Sequence, residues 1–251
     1  MAVEPVPGEP AAVADLPGED ALVVADYHAG LEVALRYDGV EVRSRADERR
    51  EGVLNLLDRT AAERLVVLGD LANAIGDPGD EEREEIERLL DAVTERVPVT
   101  LVKGNHDGDI EGLAADREDV AVTPAHGTRI GDEGFAHGHT WPSPAVLAAD
   151  VVCVGHEHPT IRLEDEVGGT RVERVWLRGS LAPGPFAEAF PDRDLDADGD
   201  LVVFPAFNDL SGGTWVNVAG QEFLAPFLPD GLADGEAFLL DGTRLGAYRR
   251  V

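Results

Sequence analysis

Histidines are distributed unevenly in this chain: six of the seven lie in four short clusters with carboxylate or amide neighbours. The clusters are Asp26-Tyr27-His28, Gly104-Asn105-His106-Asp107, His137-Gly138-His139 and Gly155-His156-Glu157-His158. A fifth cluster, Gly69-Asp70, lacks a histidine but also follows an apolar run. Carboxylate, imidazole and amide donors suit a divalent cation such as Mn²⁺, Fe²⁺ or Zn²⁺. A site of several thiolates is excluded, because Cys153 is the only cysteine.

Two clusters place possible ligands two residues apart. Residues i and i+2 of a strand share a face, so we expect Asp26 and His28 to point into one pocket. The same holds for His156 and His158. Asp70 can offer one oxygen to each of two ions and is the candidate bridge. The residue types and their spacing therefore predict a metal site assembled from strand ends.

Short apolar runs end just before the clusters, at residues 21–25, 65–68, 99–102 and 151–154. Runs of this kind, without alternation, are typical of strands buried on both faces. Helical spacing of apolar residues at 46–62 and 80–96 fills the first two intervals. This order predicts parallel strands with right-handed crossovers, and such sheets bind ligands beyond the carboxyl ends of their strands.

The remaining segments differ in texture. After Pro159, alternating patterns at residues 160–163, 170–177 and 201–204 predict a second sheet. The first twenty residues are rich in proline and glycine, and we expect a loosely held arm with a short edge strand at residues 11–14. Residues 21–251 are expected to form a single domain.

The charge balance is strongly acidic, with 50 acidic and 21 basic residues and a net charge of −29. Lys103 is the only lysine, which favours adaptation to concentrated salt over the Glu- and Lys-rich pattern of heat adaptation. An ordinary acidic protein is the alternative. The charge does not favour nonspecific binding to phosphate backbones, although local arginines and bound metals can supply positive charge for nucleic acid.

The compartment is predicted from cysteine use and from the apolar segments. A single cysteine rules out an internal disulfide, so we expect a cytoplasmic protein. A signal peptide has a basic segment followed by an apolar one, and the N-terminus lacks this pattern, so we expect no signal peptide. The longest apolar stretch, at residues 145–154, contains Asp150 and is too short to span a bilayer, so no membrane partner is expected.

The clusters occur in the order D-x-H, G-D, G-N-H-D, H and G-H-x-H, and with them the chain resembles the calcineurin-like metallophosphoesterases from about residue 21 to residue 159. The resemblance implies an α/β fold, a four-layer α/β/β/α sandwich of two mixed sheets flanked by helices. It also implies two metal ions about 3.5–4 Å apart. Their ligands would be Asp26, His28, Asp70 and His158 for the first, and Asp70, Asn105, His137 and His156 for the second.

The implied reaction is phosphoester hydrolysis by in-line attack of a metal-bound hydroxide. His106 would stay free of metal and protonate the leaving oxygen or steady the phosphoryl charge, with Asp107 orienting its ring. We expect Mn²⁺ first, with Fe²⁺ or Zn²⁺ as alternatives. One departure is Asn73, where many relatives carry a second aspartate, but it leaves the expected metal ligands intact.

A narrower resemblance involves residues 25–30, residues 155–159 and Pro205-Ala206-Phe207 followed by Ser211-Gly212-Gly213. These look like the archaeal phosphoesterases related to the SbcD nuclease subunit and are similar to the bacterial DNA-ligase-associated endonucleases. The implied substrate is DNA in a repair setting, with a helicase or ligase as partner. A phosphatase or cyclic-nucleotide phosphodiesterase and a non-catalytic interaction module are the alternatives.

Two further residues keep open roles. His139 either touches substrate or braces the site from outside the metal ligands. Arg178 either contacts a substrate phosphate or is a surface arginine.

Overall fold

The computed structural model describes residues 2–165 and 167–251. In this part of the chain, three of the four predicted buried runs, at residues 21–25, 65–68 and 99–102, lie at the centre of a first sheet with strand order β1-β2-β3-β4-β5-β6. Its strands are β1 (Val3–Pro5), β2 (Ala11–Leu16), β3 (Glu19–Val24), β4 (Arg64–Val67), β5 (Val99–Val102) and β6 (Val120–Thr123). Strands β3 to β6 are parallel, as the strand-helix order predicts, whereas β1 and β2 are antiparallel additions.

Helices cover one face of this sheet: α1 (Leu31–Tyr37), α2 (Ala46–Thr60), α3 (Asp80–Thr94) and α4 (Ile110–Ala114). Val53 of α2 and Ile86 of α3 pack in one cluster with Leu22 and Val24 of β3. Val23 points the other way and packs in the cluster between the sheets. The strand is therefore buried on both faces, which explains its unbroken apolar sequence.

The second sheet has strand order β14-β13-β11-β12-β9-β8-β7, with β10 paired to β11. Its strands are β7 (Thr128–Ile130), β8 (Glu133–Ala136), β9 (Val151–Val154), β10 (Thr160–Glu164), β11 (Thr170–Leu181), β12 (Asp200–Val203), β13 (Leu232–Leu239) and β14 (Arg244–Ala247). Helices α5 (Pro144–Leu147) and α6 (Pro183–Ala189) pack on its outer face, and a 3-10 turn follows at Tyr248–Arg250.

Three apolar clusters separate four layers. One lies between the first helices and the first sheet, one between the sheets, and one between the second sheet and its helices. Phe135, Trp176 and Phe204 fill the space between the sheets. The predicted α/β/β/α sandwich of two mixed sheets is confirmed.

Two expectations about strand placement are wrong. The second sheet begins at β7, well before Pro159, and the run at residues 151–154 is its β9, because that run pairs with β8 and β12. The first twenty residues are also not a loose arm. The predicted strand at residues 11–14 extends to Leu16, pairs with β1 and β3, and buries Val3 and Leu16.

Among the helices of residues 2–165 and 167–251, none combines the length and the apolar content needed to cross a bilayer.

Candidate metal centre

Each predicted cluster lies at or just after the carboxyl end of a strand. Asp26 follows β3, Asp70 follows β4 and Asn105 follows β5, all in the parallel part of the first sheet. His137 comes directly after β8, and His156 follows β9, which runs parallel to β8 in the second sheet. The clusters therefore meet at one edge of the sandwich, where the carboxyl ends of these strands from the two sheets lie together.

The first group of possible ligands consists of Asp26, His28 and His158, whose donor atoms all lie within 4.8 Å of one another. His158 Nε2 is 3.2 Å from Asp26 Oδ1. His28 Nε2 is 3.3 Å from His158 Nε2. Two imidazole nitrogens and a carboxylate oxygen thus converge on one point, which is the donor arrangement that a divalent ion requires.

The second group consists of Asp70, His137 and His156, again with donor atoms within 4.8 Å of one another. His137 Nε2 is 3.3 Å from Asp70 Oδ2. The side-chain oxygen of Asn105 joins this group, 3.1 Å from the same nitrogen. The structure therefore brings together the four residues expected around the second ion.

Asp70 lies between the two groups. Its Oδ2, which faces His137, is also 3.9 Å from His28 Nε2 of the first group. Its Oδ1 accepts a hydrogen bond of 2.9 Å from the backbone N–H of His106. The carboxylate is thus fixed by the backbone on one side and faces imidazoles of both groups on the other.

Backbone conformation, not strand alternation, brings the ligands together. Left-handed φ values occur at five of the ligand candidates, namely Asp26 (φ 56°), His28 (φ 47°), Asp70 (φ 48°), His156 (φ 66°) and His158 (φ 43°). The i, i+2 argument is therefore wrong for both pairs, because these residues lie beyond the strands, and His156 and His158 join different groups. Such conformations cost about 1–3 kcal/mol each and cluster at functional sites.

The cluster glycines allow the backbones to approach one another. A Cβ at Gly104 would lie 2.1 Å from Asp70 Oδ1, and a Cβ at Gly69 would lie 2.5 Å from His137 Nδ1. Gly69 also has a φ of +82°. Larger residues at either position would displace the carboxylate or the imidazole.

Two ligand rings are oriented by backbone carbonyls. His137 Nδ1 donates to the Leu68 carbonyl at 2.7 Å, and His158 Nδ1 donates to the Gly212 carbonyl at 2.9 Å. A carbonyl only accepts, so the proton is on Nδ1 and Nε2 is left to bind a cation.

The four histidines of the two ligand groups differ in pKa in the metal-free protein, according to whether a carboxylate pairs with them. Burial lowers the pKa of His137, but its hydrogen bond to Asp70 and the charges of Asp70 and Asp26 outweigh this and raise the pKa to about 9. Burial also lowers the pKa of His158, but the charge of Asp26 and the hydrogen bonds to Asp26 and Gly212 together outweigh it and raise the pKa. Burial lowers the pKa of His28 and that of His156 to about 4. Each group therefore holds one imidazole paired with a carboxylate and one neutral imidazole.

His106 lies beside the two groups and is oriented by Asn73. Its Nδ1 makes a short hydrogen bond to the Asn73 carbonyl, and its Nε2 is 4.0 Å from Asp70 Oδ2. The prediction that Asp107 orients this ring is wrong. The Asp107 carboxylate instead accepts from the N–H groups of Ala72 and Gly104, at 3.0 and 2.8 Å. Burial raises its pKa to about 6.

Supporting residues from a distant part of the chain did not stand out in the sequence. Asn208 Nδ2 donates to the carbonyls of Tyr27 and His28, both at 3.2 Å. The buried carboxylate of Glu157 accepts from the N–H groups of Leu224 and Ala225. One sequence signal could have identified Asn208. It is a polar residue directly after Pro205-Ala206-Phe207, in the segment that carried the narrower resemblance.

The two residues with open roles lie in different places. His139 packs against the rings of His137 and His156, at centroid distances of 5.2 and 5.9 Å, and is not a member of either ligand group. Arg178 donates to the carbonyl of Val3 in the first strand.

The residues present fit a pair of divalent cations. The donors are carboxylate oxygens, imidazole nitrogens and an amide oxygen. Asp26, Asp70 and His137 are almost fully buried, so the carboxylate charge has little access to water. A buried cluster of this kind is stabilised by bound cations.

The fold and the site define a metal-dependent phosphoester hydrolase. Residues 21–142 of the chain match the family model of the calcineurin-like phosphoesterases. The crystal structure of nuclease MPE from Pseudomonas putida has the same fold, with a TM-score of 0.59. The match covers 97% of this chain and 100% of that chain, and the two sequences are 19% identical.

The phosphoesterase YfcE from E. coli is 18% identical, with a TM-score of 0.42, over 90% of this chain and 96% of that chain. At this TM-score, the second likeness adds nothing to the assignment. No curated protein matches the sequence.

Proposed function

We propose that the protein is a dinuclear-metal-dependent phosphodiesterase that acts on DNA. The observation that carries this proposal is the position of Asp70, whose Oδ2 faces His28 of one ligand group and His137 of the other. One carboxylate between two donor groups suits a pair of neighbouring ions, the arrangement used for in-line displacement at phosphorus.

The first ion would be held by Asp26, His28, Asp70 and His158, and the second by Asp70, Asn105, His137 and His156. When bound, the ions would neutralise the phosphate charge and make hydroxide available near neutral pH. We propose Mn²⁺ as the native metal, because the donors are mainly oxygen and imidazole.

His106 is the proposed proton donor. Its Nδ1–H is held by the Asn73 carbonyl, so in the doubly protonated ring Nε2–H is the group that is free to give a proton to the leaving oxygen. The His106 side chain is 26% exposed, compared with 2% for Asp70, which places it on the open side of the site. A phosphoester that enters from solvent therefore meets His106 next to the metal ligands.

Three features support a phosphodiester in DNA. The chain has the fold of a nuclease over nearly its whole length. Its motifs at residues 25–30, 155–159 and 205–213 resemble those of DNA-processing phosphoesterases. A bound metal pair would also supply positive charge at the site of a protein with a net charge of −29. A role in DNA repair, with a helicase or ligase partner, is part of the same proposal.

A substrate panel tests this proposal. Protein loaded with Mn²⁺ is assayed in buffers of low and molar KCl on single-stranded DNA, bis-p-nitrophenyl phosphate and p-nitrophenyl phosphate. We expect cleavage of DNA and of the diester, and higher activity in molar KCl if the acidic surface reflects salt adaptation. Hydrolysis of the monoester alone would contradict the nuclease assignment and favour a phosphatase.

Two histidine variants test the role of His106, one as the test and one as its matched control. His106→Ala should lower the rate on DNA by about 10²–10⁴-fold, the range for loss of a general acid. His126→Ala, outside the clusters, should leave the rate unchanged. If no substrate is hydrolysed and no metal is bound, the non-catalytic interaction module is the correct alternative.

A further inference from the structure

A buried glutamate holds the turn that orients His106. Glu82 lies in the first turn of α3, is 6% exposed, and points inward under the loop that follows β4. Its Oε1 accepts two backbone hydrogen bonds, from Asn73 N at 2.6 Å and from Ala74 N at 2.9 Å. One carboxylate oxygen thus fixes two consecutive N–H groups.

Gly30 leaves the space that the Glu82 side chain occupies. A Cβ at Gly30 would lie 2.6 Å from Glu82 Cβ and 2.9 Å from its Cγ. Gly30 has a φ of +77° and lies two residues after His28. The backbone next to the first ligand group therefore packs against the side chain that supports the Asn73 turn.

The hydrogen bonds of Glu82 and His106 act on the same peptide unit. The Asn73 carbonyl and the Ala74 N–H belong to one planar peptide group and point in opposite directions. Glu82 binds the N–H side, and His106 Nδ1 donates to the carbonyl side. Rotation of this peptide would break both contacts together, so the carboxylate sets the direction of the carbonyl that His106 uses.

We propose that Glu82 is a positioning residue for His106. Through the Asn73–Ala74 peptide, it holds the Nδ1–H of His106 on the Asn73 carbonyl and directs Nε2 at the reacting phosphoester, so the doubly protonated ring gives its Nε2 proton to the leaving oxygen and returns to the Nδ1–H tautomer. The catalytic part of this inference rests on the proposed hydrolase function.

A purely structural role is the competing explanation. Negative side chains stabilise helix N-termini, and the first turn of α3 also contains Asp80 and Glu81. Loss of such a stabilising charge would lower the stability of α3 and reduce the activity on every substrate alike. A role through His106 predicts a loss that depends on the leaving group, because a good leaving group needs no proton.

The test compares four variants on two diesters, with the protein loaded with Mn²⁺. Glu82→Ala removes both hydrogen bonds. Glu82→Asp keeps the charge but shortens the side chain by one methylene. Glu82→Gln keeps an oxygen that can accept both hydrogen bonds. Glu84→Gln, on the same helix with an exposed side chain paired to Arg88, is the matched control.

We expect Glu82→Ala and Glu82→Asp to lower kcat on single-stranded DNA by about 10–100-fold, the range for residues that support a site from outside. The leaving alkoxide of DNA needs protonation, whereas p-nitrophenolate does not. On bis-p-nitrophenyl phosphate, the same variants should therefore stay within about threefold of the wild type, with KM unchanged on both substrates. Glu82→Gln and Glu84→Gln should match the wild type.

A second readout does not depend on activity. In Zn²⁺-loaded protein labelled with ¹⁵N-histidine, the neutral form of His106 should carry its proton on Nδ1 in the wild type and in Glu82→Gln. In Glu82→Ala and Glu82→Asp, it should populate both tautomers. If Glu82→Ala does not fold, Glu82→Asp provides the same comparison.

Equal losses on the two diesters, or an unchanged tautomer in both Glu82→Ala and Glu82→Asp, would overturn the inference. Failure of the proposed function would look different. The wild type would then hydrolyse neither diester, while the NMR measurement would still decide whether Glu82 positions His106.

Discussion

The two ligand groups have the same chemistry but different support. In each, a carboxylate faces one imidazole, at 3.2 Å for Asp26 and His158 and at 3.3 Å for Asp70 and His137. In the second group, the His137 ring is held by the Leu68 carbonyl, which lies close to Asp70 in sequence. In the first group, the His158 ring is held by Gly212, far away in the chain.

The first group depends on a segment that contributes no ligand. In this segment, Phe207 N donates to the Ala25 carbonyl and Asn208 N to the Asp26 carbonyl, at 2.8 and 3.2 Å. The Asn208 side chain also binds the backbone at His28. Residues 205–213 therefore hold the backbone of the first group in place through hydrogen bonds. Changes in this segment should lower the affinity for the metal at the first group more than for the metal at the second.

A buried ion network also supports the first group, beneath its Tyr27-His28 segment. Arg49 bridges Glu32 and Glu85 at 2.7 Å each, and Glu85 accepts from the N–H of Gly30. The Arg49 guanidinium also lies over the Tyr27 ring, 5.6 Å from its centroid. Both carboxylates are buried, so they require this cation.

Replacement of Arg49 should have the largest effect on stability. Arg49→Met leaves two buried carboxylates without their cation, and we expect the free energy of unfolding to fall by about 3–5 kcal/mol. Guanidinium denaturation monitored by circular dichroism measures this loss. Arg88→Met, in an exposed pair with Glu84, should cost less than about 1 kcal/mol and is the matched control. Equal losses in the two variants would show that the network does not support the site.

Metal affinity should rise with pH, because a proton competes with the metal in each group. The pKa of His137 is raised to about 9, so in metal-free protein its imidazole is protonated at pH 7 and must lose a proton when metal binds. Binding at the second group should strengthen by about tenfold per pH unit, roughly 100-fold from pH 7 to pH 9, and then level off.

Titration calorimetry with Mn²⁺ at several pH values checks this slope and the proton release. His28 and His156, with pKa values lowered to about 4, should contribute nothing above pH 6. An affinity that does not change between pH 7 and pH 9 would mean that His137 is not paired with Asp70 in the metal-free protein.

Removal of the Asn208 side chain should separate the two groups most directly. Asn208→Ala frees the carbonyls of Tyr27 and His28, and we expect one Mn²⁺ to bind about 10–100-fold more weakly. The other ion should keep its affinity within about threefold. Asn217→Ala is the control, because Asn217 binds the backbone of Arg162 and Val251 instead. Equal weakening of both ions would contradict the difference in support.

The sequence predicted which candidate residues lie close together better than the reason for their convergence. Asp26, Asp70 and His156 were identifiable as candidates because each lies in a cluster that follows an apolar run, and parallel strands bring such ends together. The left-handed conformations at Asp26 and His158 were not predictable, because non-glycine residues rarely adopt them and the surrounding contacts impose them.

Contacts between distant segments were also beyond the sequence. The orienting partner of His106 is the backbone carbonyl of Asn73, and a carbonyl carries no sequence signal. The N-terminal strands were missed because the prolines and glycines at residues 5–10 suggested a loose arm, although Pro5 is the last residue of β1 and residues 6–10 form the turn to β2.

We propose that Asp70 joins two metal ions in one centre. Electron paramagnetic resonance of protein loaded with Mn²⁺ tests it most directly, because two ions that share a carboxylate are exchange-coupled. We predict two Mn²⁺ per chain with a coupled multiline spectrum, which Asp70→Ala should abolish. A spectrum of isolated Mn²⁺ only, at one or two ions per chain, would contradict the claim.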